Sequence, residues 1–263
     1  MPSKWNYYLR SIPTLLAGVE SRGAALRLLA GRPAIPVTVR LRGGCSFQVR
    51  SFMDLWIIKE TCLDREYERD LPAWGEEWMI LDIGAGLGDF SVYAARNHPG
   101  RKIAAFEPFS ESFALLEDNV RANGIRNVKT FPLAVGARSG PMLLHTSSGA
   151  AVQHSTVSSP EADPAASISV EGITLEEAFR KTGFARCDLL KVDCEGGEYD
   201  IFFRAPEETL QRIDRIAMEY HDDCTPHSHN ELADFLRKHG FSVRLRNNPV
   251  HRHLGFLTAL RNP

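Results

Sequence analysis

Met79-Ile80-Leu81-Asp82-Ile83-Gly84-Ala85-Gly86-Leu87-Gly88-Asp89-Phe90 carries the strongest structural signal in the sequence. An apolar strand ends in an acid, three glycines follow at alternate positions, and a helical pattern begins after them. In an open parallel sheet, ligands sit outside the carboxyl ends of the strands, at the point where the strand order reverses. Glycines there remove Cβ atoms where a ligand must approach the backbone closely. The third glycine comes one residue too early for the dinucleotide spacing GxGxxG. Asp82 is placed to orient the loop amides or to accept from a cofactor's amino group.

Working outward, Glu107 in Ala104-Ala105-Phe106-Glu107-Pro108 ends the next apolar run. A carboxylate at that point, about 20 residues past a glycine loop, accepts ribose hydroxyls in nucleotide-binding sheets. From residue 78 the pattern is β-α-β. Strands are expected at 78–83, 102–107, 127–132, 187–193 and 213–220, and helices at 89–97, 111–123, 174–181, 197–204 and 228–239. Thr174 with Glu177 reads as a capping box. Residues 241–246 and 253–259 read as two antiparallel strands joined through Asn247-Asn248-Pro249.

Before the glycine loop, residues 36–50 alternate as a β-hairpin around Gly43-Gly44, and residues 53–69 look helical. Residues 1–34 read as two short amphipathic helices, broken near Pro13 and across residues 18–23. They are expected to pack on the main domain or on a second copy in a homodimer. Contact with a membrane surface is the alternative, because Lys4, Arg10, Arg22 and Arg27 flank the apolar residues. The division is an N-terminal extension, residues 1–75, and a catalytic domain, residues 76–263. Residues 146–167 are rich in Ser, Ala and Pro and read as a surface loop or a lid.

The gross numbers exclude several classes. A chain of 263 residues with 43% apolar and 24% charged residues is ordinary for a globular protein. A net charge of -2 gives no electrostatic footprint for nucleic acid. No apolar run approaches the ~20 residues of a membrane span, and the N-terminus lacks a signal-peptide pattern. Cys45, Cys62, Cys187, Cys194 and Cys224 are scattered with no CxxC pair. That usage favours reduced thiols and a cytoplasmic location.

Taken in order, LDIGAGLGDFS, AFEPFSESFALLEDNV, NVKTFPLAVG, LLKVDCEGGEYD and AMEYH resemble the FkbM family of S-adenosylmethionine-dependent methyltransferases. The resemblance runs from about Val37 to Leu257, and KVDCEGGE is its most diagnostic block. It implies a Rossmann-like seven-stranded sheet, mostly parallel with the last strand antiparallel, and O-methylation of a sugar or polyketide hydroxyl. By the same resemblance Asp82, Gly84, Ala85, Gly86, Gly88, Phe90, Ser91, Glu107, Pro108, Ala134, Val135 and Asp193 line the S-adenosylmethionine site. Ala85-Gly86-Leu87 stands where many relatives read Ala-Asn-Ile or Ala-Asn-Val.

Methylating an alcohol removes the hydroxyl proton. Asp193 and His221 are the candidate bases, His221 because an imidazole is neutral near pH 7. Glu195, Glu198 and Glu219 are the candidate substrate-binding acids, for the hydroxyls or for the loop. The favoured reading carries no metal. Asp193, Glu219 and His221 are its weak alternative site for magnesium, with Asp222, Asp223, His227 and His229 nearby. Competing readings are a nicotinamide-dependent oxidoreductase, a nucleic-acid N-methyltransferase and a non-catalytic binding module. The first lacks a Tyr-x-x-x-Lys pair, and the second lacks an Asn/Asp-Pro-Pro-aromatic block. The expected partner is a small-molecule or glycan acceptor.

Overall fold

The computed structural model describes residues 4–31, 35–146, 154–155, 167–248 and 250–262, with side chains omitted for 4–10, 145–146 and 154–155. Its centre is a seven-stranded sheet. In chain order the strands are β3 (Met79–Ile83), β4 (Lys102–Phe106), β5 (Val128–Phe131), β10 (Leu189–Val192), β11 (Arg215–His221), β12 (Phe241–Asn247) and β13 (Leu254–Arg261). Their spatial order is β12-β13-β11-β10-β3-β4-β5, and β13 runs antiparallel to both of its neighbours. This is the mostly parallel sheet with an antiparallel last strand that the resemblance implied.

The chain leaves β3 towards β4 and β5 on one side and returns to β10 and β11 on the other. The order therefore reverses between β3 and β10. The register across that point is informative. Phe106, Ile83, Val192 and Met218 are neighbours in one row. The next residues, Glu107, Gly84, Asp193 and Glu219, thus emerge together at adjacent strand ends, spaced by the ~4.8 Å of a sheet.

Helices α4 (Asp89–Asn97), α5 (Ser110–Ala122), α6 (Leu175–Thr182), α7 (Glu198–Phe203) and α9 (His229–Lys238) connect the strands. The expected capping box of Thr174 with Glu177 forms, and Ser228 with Glu231 makes a second one. The main core buries Leu81, Phe106, Leu190, Val192, Phe202 and Met218 between sheet and helices.

The N-terminal extension is α1 (Lys4–Gly18), α2 (Arg22–Leu29), the hairpin β1 (Val37–Arg40) and β2 (Ser46–Val49), and α3 (Phe52–Ile58). Its hairpin residues Val39, Phe47 and Val49 share one buried cluster with Leu87, Val92 and Leu115 of the sheet domain. Asn119, fully buried, accepts from the Gln48 amide at 2.6 Å and donates to the Leu87 carbonyl at 2.8 Å. The hairpin is thereby clamped to α5.

Two expectations need correction, and one sheet was unforeseen. Pro13 does not break α1; it lies inside the helix at an exposed position. The helix expected over 53–69 ends early: a π-helical turn (Lys59–Leu63) follows α3, and irregular backbone then carries Tyr67. A second, four-stranded sheet was not expected. It contains β6 (Ala134–Val135), β7 (Gly140–Thr146), β8 (His154–Ser155) and β9 (Ser167–Ile173) in the order β6-β9-β7-β8. The loop-or-lid reading of 146–167 falls mostly outside the described residues. Among the described residues, no helix is long and apolar enough to cross a membrane.

Candidate active site

A cleft opens over the strand ends at the reversal point. Its lining includes Gly84, Gly86, Glu107, Pro108, Ala134, Val135, Asp193, Glu195 and Glu219. The sequence pointed to all nine.

The glycine loop has steric reasons for its composition. Gly84 has φ +70°, and a Cβ there would lie 1.7 Å from the Asp193 carbonyl oxygen. Only glycine lets the ends of β3 and β10 meet. Gly86 is the opposite case: its φ is +54°, but a Cβ would have nothing nearer than Asp89 Oδ1 at 4.0 Å. The space above Gly86 is open to a ligand.

Glu107 closes the loop from the next strand. Its two oxygens accept the Gly86 and Phe109 amides, each at 2.8 Å. Burial pushes its carboxyl up to about 7, against the pull of those amides and of Lys191. A buried carboxylate on a row with an open glycine turn fits a nucleoside that offers ribose hydroxyls.

Five expected cofactor residues do not line the cleft. Asp82 is fully buried and accepts from Ser91 Oγ at 2.7 Å. It also pairs with Lys191 Nζ at 3.1 Å. Asp82 and Lys191 are cross-strand neighbours, so the sheet register makes this pair. Ser91 is spent on Asp82, Phe90 packs with Tyr67 and Trp78 in the core, and Ala85 is buried against Ala105 and Leu116. Gly88 begins α4 in a left-handed conformation, against Leu116. The contacts of these residues hold the loop in place.

The opposite wall is acidic. Asp193 Oδ2 accepts from Tyr67 Oη at 2.8 Å. His221 is 4% exposed; its Nδ1 lies 2.8 Å from Glu198 Oε1, and its Nε2 3.4 Å from Glu195 Oε2. Burial alone would lower the imidazole's pKa, but Glu198 and Glu195 outweigh it and raise it well above the ordinary value. The two carboxylates therefore favour the imidazolium over the neutral ring that was expected of a base. Glu198 is fully buried and accepts from the Gly196 amide at 2.9 Å, so it holds the loop and His221 rather than an acceptor. Glu195 sits at φ +50°, uncommon for a residue with a side chain. Burial first, and neighbouring acids second, push its carboxyl up to about 7, although His221 opposes this. Glu219 is raised well above the usual range, by burial and then by Asp193.

Asp193, Glu219 and His221 each offer a ligand atom within 4.8 Å of the others. Asp222, Asp223, His227 and His229 stand apart. Asp222 is bound to His229 Nδ1 at 2.6 Å and to Tyr199 Oη at 2.5 Å, Asp223 pairs with His253, and His227 packs on Phe203.

Three contributors escaped the sequence reading. Lys191 donates to the Gly84 carbonyl at 2.8 Å and carries the charge that balances Asp82. It lay within the diagnostic block, so a signal existed. Tyr67 and Arg50 belong to the N-terminal extension and had none. Arg50 lines the cleft and pairs with Asp54 at 3.3 Å, and its Nη1 is buried without a hydrogen-bond partner among the described residues.

The Methyltransferase FkbM domain matches residues 82–243, which is more than half of the chain. The chain belongs to the FkbM methyltransferase family. It is an S-adenosylmethionine-dependent methyltransferase. The chain is 25% identical over 240 residues to the 31-O-demethyl-FK506 methyltransferase FkbM of Streptomyces tacrolimicus, covering 81% of this chain and 92% of that protein. It is 27% identical over 231 residues to the AMB antimetabolite synthetase AmbE of Pseudomonas aeruginosa. That match covers 74% of this chain but only 11% of AmbE. The FkbM fold also matches the crystal structure of methyltransferase FkbM from Methylobacillus flagellatus, with a TM-score of 0.50 and 12% identity over 95% of this chain and 59% of that one. At that identity the likeness is one of fold alone.

Proposed function

We propose that this FkbM methyltransferase methylates a hydroxyl group of a sugar or a secondary metabolite. The observation that carries the reading is the row of strand ends: Glu107 and Gly84 on one side, Asp193 and Glu219 on the other, with Glu195 beside them. S-adenosylmethionine supplies a methyl group on a sulfonium, which an acceptor oxygen takes while the carbon–sulfur electron pair stays with sulfur. Gly84 and Gly86 would lie under the donor, and Glu107 would accept from its ribose.

The acceptor enters over the acidic wall. Its hydroxyl proton passes to a carboxylate there, Asp193 or Glu195. Such proton transfer is worth about 10²–10⁴-fold, and correct placement of the two reactants about 7–11 kcal/mol. His221 lies beside Glu195, and its imidazolium form offsets that carboxylate's charge. Three carboxylates suit a hydroxyl acceptor, which must lose a proton. An amine or nucleobase acceptor is better served by neutral carbonyls. The S. tacrolimicus relative is named for an O-demethylated substrate, which agrees with oxygen as the acceptor atom.

A direct test incubates the protein with methyl-labelled donor and a panel of sugar nucleotides, glycolipids, polyketide alcohols, amines and RNA. Label in a methyl ether supports the reading. Label found only on nitrogen or on RNA overturns it.

A further inference from the structure

The acidic wall has a feature that proton transfer alone does not use. β10 and β11 are parallel neighbours with Val192 opposite Met218. Asp193 therefore emerges beside Glu219. Glu219 and His221 are two residues apart on one strand and share a face of the sheet. The ligand atoms of the three converge within 4.8 Å.

Two of the three are oriented by groups behind them. Tyr67 Oη donates to one oxygen of Asp193, leaving Oδ1 for another partner. Glu198, fully buried and tied by the Gly196 amide, faces His221 Nδ1. That contact assigns the proton to Nδ1 and turns Nε2 towards the cluster. Nε2 belongs to a side chain more than nine-tenths buried, and Glu195 Oε2 lies 3.4 Å from it as an ion-pair neighbour. A histidine whose rear nitrogen is held by a carboxylate, with its front nitrogen turned to converging oxygens, is the arrangement by which proteins orient metal-ligating imidazoles. Glu219 adds a carboxylate on the cleft wall.

We propose that Asp193, Glu219 and His221 bind a divalent cation of the magnesium or manganese class at the acceptor side of the cleft. One nitrogen and two carboxylate oxygens make an oxygen-rich set that suits a hard cation preferring six ligands. Three protein ligands leave open positions. On the hydroxyl-acceptor reading, which this inference deepens, those positions take acceptor oxygens, and an adjacent pair of hydroxyls on a sugar-like acceptor would fill two of them. Glu195 stays outside the trio and is then the carboxylate left for the hydroxyl proton. Without a metal the same groups form an ion-pair network around an imidazolium. The two states predict different behaviour in solution.

The test is a Mn²⁺ titration of the whole, chelator-stripped protein, read by the electron paramagnetic resonance signal of free Mn²⁺. One saturable site is expected, with a dissociation constant at or below about 1 mM, the weak end for oxygen-ligated divalent sites. Mg²⁺ should compete for it. Glu219→Gln should weaken uptake at least about tenfold, because a neutral amide replaces a charged ligand, while binding of S-adenosylhomocysteine stays intact and reports a folded protein. In the unaltered protein, substoichiometric Mn²⁺ should broaden the His221 imidazole signals before those of the other eight of its nine histidines. That readout needs no variant to fold. No saturable uptake, or broadening that spares His221, overturns the site. A failed acceptor panel beside positive Mn²⁺ binding would count against the hydroxyl reading and leave the metal site standing.

Discussion

Tyr67 Oη donates a 2.8 Å hydrogen bond to Asp193 Oδ2 across 126 residues of chain. The phenol is fixed on both sides, edge-on to Phe90 and to Phe256. The N-terminal extension thereby sets the rotamer of a carboxylate at the end of β10. Tyr67→Phe removes the bond and keeps the ring. A hydrogen bond to a charged group is worth about 1.5–3 kcal/mol. We expect kcat to fall by about tenfold or more, since 1.4 kcal/mol is a factor of ten. Donor affinity should hold. An unchanged kcat would remove Tyr67 from the account.

Gly84 is the steric hinge of the donor site. A Cβ there collides with the Asp193 backbone oxygen, not with a movable side chain. Gly84→Ala should abolish binding of S-adenosylhomocysteine, whether or not the protein still folds. Gly86→Ala, facing open space, should bind more than Gly84→Ala does. Equal affinities measured by calorimetry would contradict the steric argument.

Glu107 makes donor binding depend on pH. Burial raises its folded value to about 7 from an ordinary 4.5. The folded protein therefore takes this proton more readily than the unfolded chain does. That stabilisation is fully present below 4.5 and is lost as pH rises through 7. Donor binding runs the other way, because ribose hydroxyls need an ionised acceptor. Affinity for S-adenosylhomocysteine should fall as pH drops below 7, approaching about tenfold per unit, and Glu107→Gln should flatten the profile. A flat profile in the unaltered protein would show that Glu107 does not meet the donor.

Much of this was legible in the sequence, and the reasons differ by residue. Gly84, Gly86, Glu107 and Asp193 announce themselves because close approach and charge at a strand end restrict those positions to few residue types. Their position on one row follows from a parallel register that the apolar runs specify. The small second sheet was missed because β7 and β9, seven residues each, flank the Ser-rich segment, where periodicity fails. Tyr67 was missed because an aromatic in a half-buried stretch carries no sign of a partner 126 residues away. His221 was named as a neutral base, but nothing in the sequence signalled the two glutamates that favour its charged form. Only the fold brings Glu198 and Glu195 to the ring.

The buried pair of His221 and Glu198 also predicts stability. Removing one partner of a buried ion pair costs about 3–5 kcal/mol, because the other is left uncompensated. Glu198→Ala should lower the melting temperature by roughly 10 °C for a domain of this size. A shift of no more than about 2 °C in a thermal melt would place the pair among those that contribute little.

We propose that the glycine loop and Glu107 form the donor side of a methyltransferase cleft. The decisive measurement is a calorimetric titration with S-adenosylhomocysteine, on the unaltered protein and on Glu107→Ala. We predict one saturable site per chain, weakened at least about tenfold by the substitution, which removes a charged acceptor. No binding heat, or the same affinity in Glu107→Ala, would contradict the claim.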